Sequence, residues 1–161
     1  MNKKKLIDNL NKLDPKKPYG PKLFNALARL TVSVAIECVA LQIENQTTEI
    51  LLTRRAKNDL LYPWYWHFPG TILRPGEKLT DAFERLAKKE FRTPLKPKKD
   101  FIAFCNIPNC ERGHELSLLF RVYLEKNPKG QWFSIYDLPK KIVPYHKNEL
   151  ITIIQYFLAS I

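Results

Sequence analysis

Cysteine and carboxylate are both scarce in this chain. Three cysteines, Cys38, Cys105 and Cys110, are an odd number in 161 residues, which argues against a disulfide framework. Long apolar runs are missing as well. The longest, "LTVSVAIECVALQI", is too short to cross a bilayer and is interrupted by Glu37. The basic start "MNKKK" is followed by "LIDNLNKLD" rather than an apolar stretch, so it does not read as a secretory leader. There is no Walker loop, dinucleotide fingerprint or Ser-His-Asp arrangement. These absences predict a soluble, reduced, cytoplasmic protein that does not engage a membrane. The shortage of acid is the informative one. Sixteen Asp and Glu stand against 27 Lys and Arg, a net charge of +11, which steers polyanions toward the surface.

What is present suits one folded domain: 45% hydrophobic and 12% aromatic residues in a chain long enough to bury a core. Residues 1–22 hold seven lysines against two aspartates and read as a basic arm, with residues 23–161 as the domain. Apolar residues at Leu23, Phe24, Leu27 and Leu30 have helical spacing. "TVSVAIECVALQIE" and "EILLTRRA" read as strands joined by the turn "NQTT". An aromatic loop follows, then a helix over Leu79–Phe91 ended by Pro94 and Pro97. "FIAFCNIP" and "ELSLLFRVYLEK" are two more strands. Leu150, Ile153, Ile154, Phe157, Leu158 and Ile161 then form the stripe of a closing amphipathic helix. This order predicts an α+β fold, an α/β/α sandwich with a mixed sheet packed between helices.

The order strand, "LLTRR", aromatic loop, "WHFPG", glycine-glutamate turn and helix resembles the Nudix hydrolase family. The segment "GTILRPGEKLTDAFERLAKKEF" lies on that family's box, and the resemblance extends over roughly residues 30–158. It implies cleavage of a diphosphate linkage in a nucleoside diphosphate joined to another moiety, with Mg²⁺ or Mn²⁺. It also implies a nucleotide-like partner and assembly as a homodimer, which is frequent among members. By resemblance, Gly70 offers a carbonyl to the metal, Glu90 is the main carboxylate ligand and Glu77 a supporting one. Arg85 orients the glutamates, and Glu115 falls where some members carry an extra carboxylate acting as base or ligand. The family helix presents three carboxylates on one face; here those positions are Leu86, Lys89 and Glu90, and Thr71 and Arg92 replace two box glycines. Glu77 and Arg85 also suit a plain scaffold ion pair. Asp81, Glu84 and Lys88 point away as a solvated face. Lys89 is a candidate phosphate holder standing in for a metal charge.

Further candidates surround this box. Arg54 or Arg55 grips phosphate, strand alternation sending only one of them to the cleft. Trp64 and Tyr65 are candidates for stacking on a ligand, whereas Trp66 reads as core. Glu37, set among apolar neighbours, calls for an arginine partner rather than a catalytic role. Cys105, Cys110 and His114 lack a fourth ligand for structural zinc. Three readings follow. One is a metal-dependent hydrolase with a sparse carboxylate set. Another is a catalytically inactive Nudix-fold module binding a nucleotide-like ligand or RNA. The third is a nucleic-acid binder working through the basic arm.

Overall fold

The computed structural model describes residues 1–160; Ile161, the last residue of the closing stripe, lies outside them. Two short helices come first, α1 (Lys3–Asn11) and α2 (Pro21–Ala28). Asn2 caps α1 by accepting from the Lys5 amide at 3.1 Å, and Pro21 opens α2 at a position where no amide hydrogen bond is lost. Helix α1 buries no residue, so the basic segment keeps its lysines in water. It is nevertheless tied down, because Arg74 donates to the Lys16 carbonyl at 2.9 Å.

The sheet is mixed and seven-stranded: β1 (Val32–Glu44), β2 (Thr47–Arg54), β3 (Trp66–His67), β4 (Gly70–Ile72), β5 (Leu95–Cys110), β6 (Gly113–Leu124) and β7 (Gln131–Ser134). Its main path runs β3-β2-β1-β6-β5, with β4 also on β1 and β7 on β2. Strands β1 and β2 form the expected hairpin, turning at Asn45 and Gln46, both with positive φ as a two-residue turn demands. They stay paired only from Leu41↔Ile50 to Glu44↔Thr47. Further back, β1 pairs β4 from Ala35↔Ile72 to Glu37↔Gly70, while β2 pairs β3 and β7. The sheet therefore opens where β1 exchanges one antiparallel partner for another.

Alternation along β1 divides the core between two faces. Ile36, Cys38 and Ala40 pack under α3 (Leu79–Leu86) with Ala82, Phe83 and Leu86. Val39 and Leu119 pack on the other face with Leu150 and Ile154 of the closing helix, whose α-helical part is α4 (Ile151–Ala159). This is an α/β/α sandwich. Both helices contain a π turn, Ala87–Phe91 after α3 and His146–Leu150 before α4. The first ends at Arg92, whose φ of 55° is left-handed and whose amide reaches back to the Ala87 carbonyl at 2.8 Å. No helix among the described residues is long and apolar enough to cross a membrane.

Candidate functional site

A cavity of about 390 Å³ lies at the opening between β1, β2 and β4. Four carboxylates line it: Glu37 of β1, Asp59 of the loop after β2, Glu90 of the π turn and Glu115 of β6. Glu37 and Glu115 are buried, at 5% and 4% exposure, and make the floor. Four cations share the lining: Arg54 and Lys129, both exposed, make a rim, with Arg55 and Arg112 half-buried between rim and floor.

Glu115 and Glu90 are held by different hydroxyls. Ser117 donates to Glu115 Oε1 at 2.9 Å. Thr53 donates to Glu90 Oε2 at 3.4 Å, and Thr53 Oγ1 lies 3.2 Å from His67 Nε2. With the threonine proton given to Glu90, the imidazole must supply the other one, so the neutral form of His67 carries its hydrogen on Nε2. Burial, reinforced by the nearby Arg55 charge, pushes His67 down to about 3, in keeping with that neutral form. His146 is neutral too. Its Nδ1 accepts from the Phe68 amide at 3.0 Å, and burial and His67 drive its basicity well below the ordinary range.

Glu37 is the unpaired member. Its Oε2 is buried without a hydrogen-bond partner among the described residues. Burial, then the charge of Glu115, raises its pKa well above the usual carboxylate value, although Arg55 pulls the other way. The arginine partner expected for Glu37 is committed elsewhere. Arg55 grips Asp59 at 2.6 Å, and Arg112 lies 3.8 Å from the same carboxylate. Burial would raise Asp59, but the Arg55 hydrogen bond and the Tyr62 and Leu61 amides bring it to about 2. Arg55 Nε, in turn, is buried without an acceptor. One cavity thus contains an orphaned carboxyl oxygen and an orphaned guanidinium N–H, an acceptor and a donor that suit a hard cation beside a phosphate oxygen. No three His, Cys, Asp or Glu side chains among the described residues converge on a common metal position. The donor chemistry fits even so: carboxylate oxygens from three elements, with Gly70 lining the same wall.

The sequence-derived candidates fall into two groups. Glu90, Glu115, Gly70, Arg54 and Arg55 come together on the cavity. Both arginines reach it, contrary to the alternation argument, because β2 ends at Arg54 and Arg55 is already in the loop. Glu77, Arg85, Lys89, Trp64 and Tyr65 do not line it. Both Glu77 oxygens accept from Arg85 at 2.8 Å, and the Arg74 amide adds a third bond at 3.0 Å, so this pair locks the turn to α3. Arg85 also donates to the Ile72 carbonyl and to Thr71 Oγ1, spending its guanidinium on the frame. Leu86 is fully buried under the sheet. Lys89 is exposed and faces an adjoining groove of about 980 Å³ rather than the carboxylates.

That groove shares Arg55, Asp59, Thr71 and Arg112 with the cavity. Tyr19, Phe24, Leu27, Leu60 and Leu73 give it apolar walls, and Arg74, Arg85 and Lys89 add positive charge. Trp64 has a positive φ of 67° and lies under the Arg54 guanidinium, 5.1 Å from carbon to ring centre. Tyr65 packs on Tyr62. Trp66 joins the core against Phe133. Cys105 is buried in the core, and His114 bonds Asn106 at 2.6 Å. His67, His146, Arg112 and Lys129 were missed by sequence reading: His67 ends β3, His146 opens the second π turn and the two cations lie in loops, none marked by a pattern.

Comparison with known proteins matches residues 35–152 to the NUDIX domain model. No curated protein matches the chain in sequence. The NUDIX domain of Shewanella oneidensis NrtR, complexed with ADP ribose, superposes with a TM-score of 0.62 at 15% identity, covering 94% of this chain and 97% of that one. A MutT protein from Methanosarcina mazei Go1 gives 0.63 at 17% identity over 80% of this chain and 94% of its own. A C. elegans Ap4A hydrolase binary complex gives 0.61 at 17% identity, over 80% of this chain and 99% of its own.

Proposed function

Because this chain belongs to the Nudix family, we propose that its cavity hydrolyses a diphosphate linkage in a nucleoside diphosphate joined to another moiety, using Mg²⁺ or Mn²⁺. The observation that carries this reading is the single cavity that sets Glu90 and Gly70 beside four cationic side chains. Glu90, Glu115 and the Gly70 carbonyl would hold the cation. Once bound, it would polarise the phosphoryl oxygens and acidify a water molecule. Thr53 and His67 orient Glu90, and Ser117 orients Glu115. The unpaired Arg55 N–H, with Arg112 and Lys129, grips the diphosphate and neutralises its charge. The adjoining groove takes the remainder of the substrate on its apolar walls. An ADP-ribose complex and an Ap4A hydrolase among similar folds support this substrate class.

The test is phosphate or nucleotide release from a panel of nucleoside-diphosphate compounds with Mg²⁺, Mn²⁺ or EDTA. Metal-dependent release is expected, lowered on the order of 100-fold by Glu90→Gln, as loss of a metal-supporting group lowers activity. A second reading, a binding module without turnover, is favoured by one observation: Leu86 lies in the core and Lys89 outside the cavity, so the helix presents one carboxylate there. Tight ADP-ribose binding in EDTA, with no release under any metal, would support that reading over hydrolysis.

A further inference from the structure

The site lacks two helix carboxylates, yet the cavity still contains three glutamates, and the third comes from a strand. Glu37 is 95% buried, lines the cavity with Glu90 and Glu115, and leaves Oε2 without a partner. An unpaired buried carboxylate is costly. Its neighbours on that face of β1 are apolar, and a valine or leucine there would pack without the penalty. The surroundings are nonetheless shaped around it. Gly70 stands opposite Glu37 in the β1–β4 register, and a Cβ built on Gly70 would lie 2.6 Å from Glu37 Cδ and 2.7 Å from Oε1. Glycine at position 70 leaves the Glu37 carboxyl in this place; any side chain there would make its tip move.

We propose that Glu37 is a metal ligand transferred from helix to strand, completing with Glu90 and Glu115 the oxygen set that Leu86 and Lys89 no longer supply. The assignment rests on the metal-dependent reading of the cavity but not on any particular substrate. It explains why Leu86 can fill the core without emptying the site. The cation would bind where an orphaned, buried oxygen already points, and the cost of that burial would be recovered on loading.

Mn²⁺ binding to the full chain, read as loss of the free-ion electron paramagnetic resonance signal, tests this without substrate. Native protein is expected to bind Mn²⁺, and Glu37→Gln and Glu115→Gln are each expected to weaken it at least tenfold. Exposed Glu84→Gln is expected to leave it unchanged. Thermal melts in EDTA check that each variant folds; Glu37→Gln is expected to melt no lower than native, since the amide matches the carboxyl in size and carries no charge to bury. If that variant fails to fold, Glu37→Asp draws the carboxylate back by one methylene and is expected to show the same weakening. Mn²⁺ binding by Glu37→Gln as tight as native, or none by the native chain, would overturn the proposal. Native Mn²⁺ binding lost in Glu37→Gln, with no turnover on any substrate, would uphold the ligand while sinking the hydrolase.

Discussion

Glu37 and Gly70 face each other across the antiparallel β1–β4 pair, and the Glu37 carboxylate occupies the space that a side chain at position 70 would need. The two residues therefore act as a unit. Gly70→Ala is expected to cost about 1–3 kcal/mol in urea unfolding, the usual range for overpacking. In a Glu37→Ala background the same change should be nearly neutral. A coupling below about 0.5 kcal/mol, the level of independent sites, would show that the glycine serves another purpose.

Leu86 stands where the family box has a glutamate, but it is fully buried with Ile36, Phe83 and Phe91. Leu86→Glu should not restore a ligand. It would bury an uncompensated charge in an apolar layer, and a loss of more than about 3 kcal/mol is expected. Leu86→Ala should lose about 2–5 kcal/mol through the cavity it leaves. Chemical denaturation measures both, and retention of native stability by Leu86→Glu would contradict the packing.

Arg92 replaces the glycine that ends the box and keeps the left-handed backbone that glycine adopts without strain. Arg92→Gly is expected to raise stability by about 0.5–1 kcal/mol: a side chain in this region costs roughly 1–2 kcal/mol, partly offset by the greater freedom glycine loses on folding. A lower melting temperature would mean that the arginine side chain contributes more than its strain removes.

Asp59 links stability to pH. Its folded pKa, about 2, is depressed below the ordinary 3.8. The stabilisation is therefore complete above 3.8 and is lost as pH falls through about 2. The difference is worth on the order of 2 kcal/mol at neutral pH. Asp59→Asn should therefore be less stable than native at pH 7 and indistinguishable from it near pH 2, as measured by urea unfolding at each pH. A constant difference across that range would argue against charge as the cause. Arg55 and Arg112 are the cations that face this carboxylate.

Much of this was legible in one dimension. The hairpin turn, the aromatic loop and the helical spacing of α2 and α4 follow from local chemistry, in which side-chain spacing and backbone preference act over a few residues. The Glu77–Arg85 pair was foreseeable as scaffold because both residues lie on one turn-helix unit. Arg54 and Arg55 were misjudged because alternation applies only while the strand lasts, and the strand ends between them.

The sequence by itself determined the family, the order of elements and the absence of two helix carboxylates. Only the tertiary structure decided which carboxylates meet. Glu37, Glu90 and Glu115 lie 53 and 25 residues apart along the chain, and no local pattern links them. They share a cavity because β1 leaves β2 for β4, β6 runs parallel beside β1, and the π turn ends against Thr53. A buried glutamate in a strand looks in sequence like a side chain in need of an arginine. The fold assigned that arginine to Asp59 and left the carboxylate free.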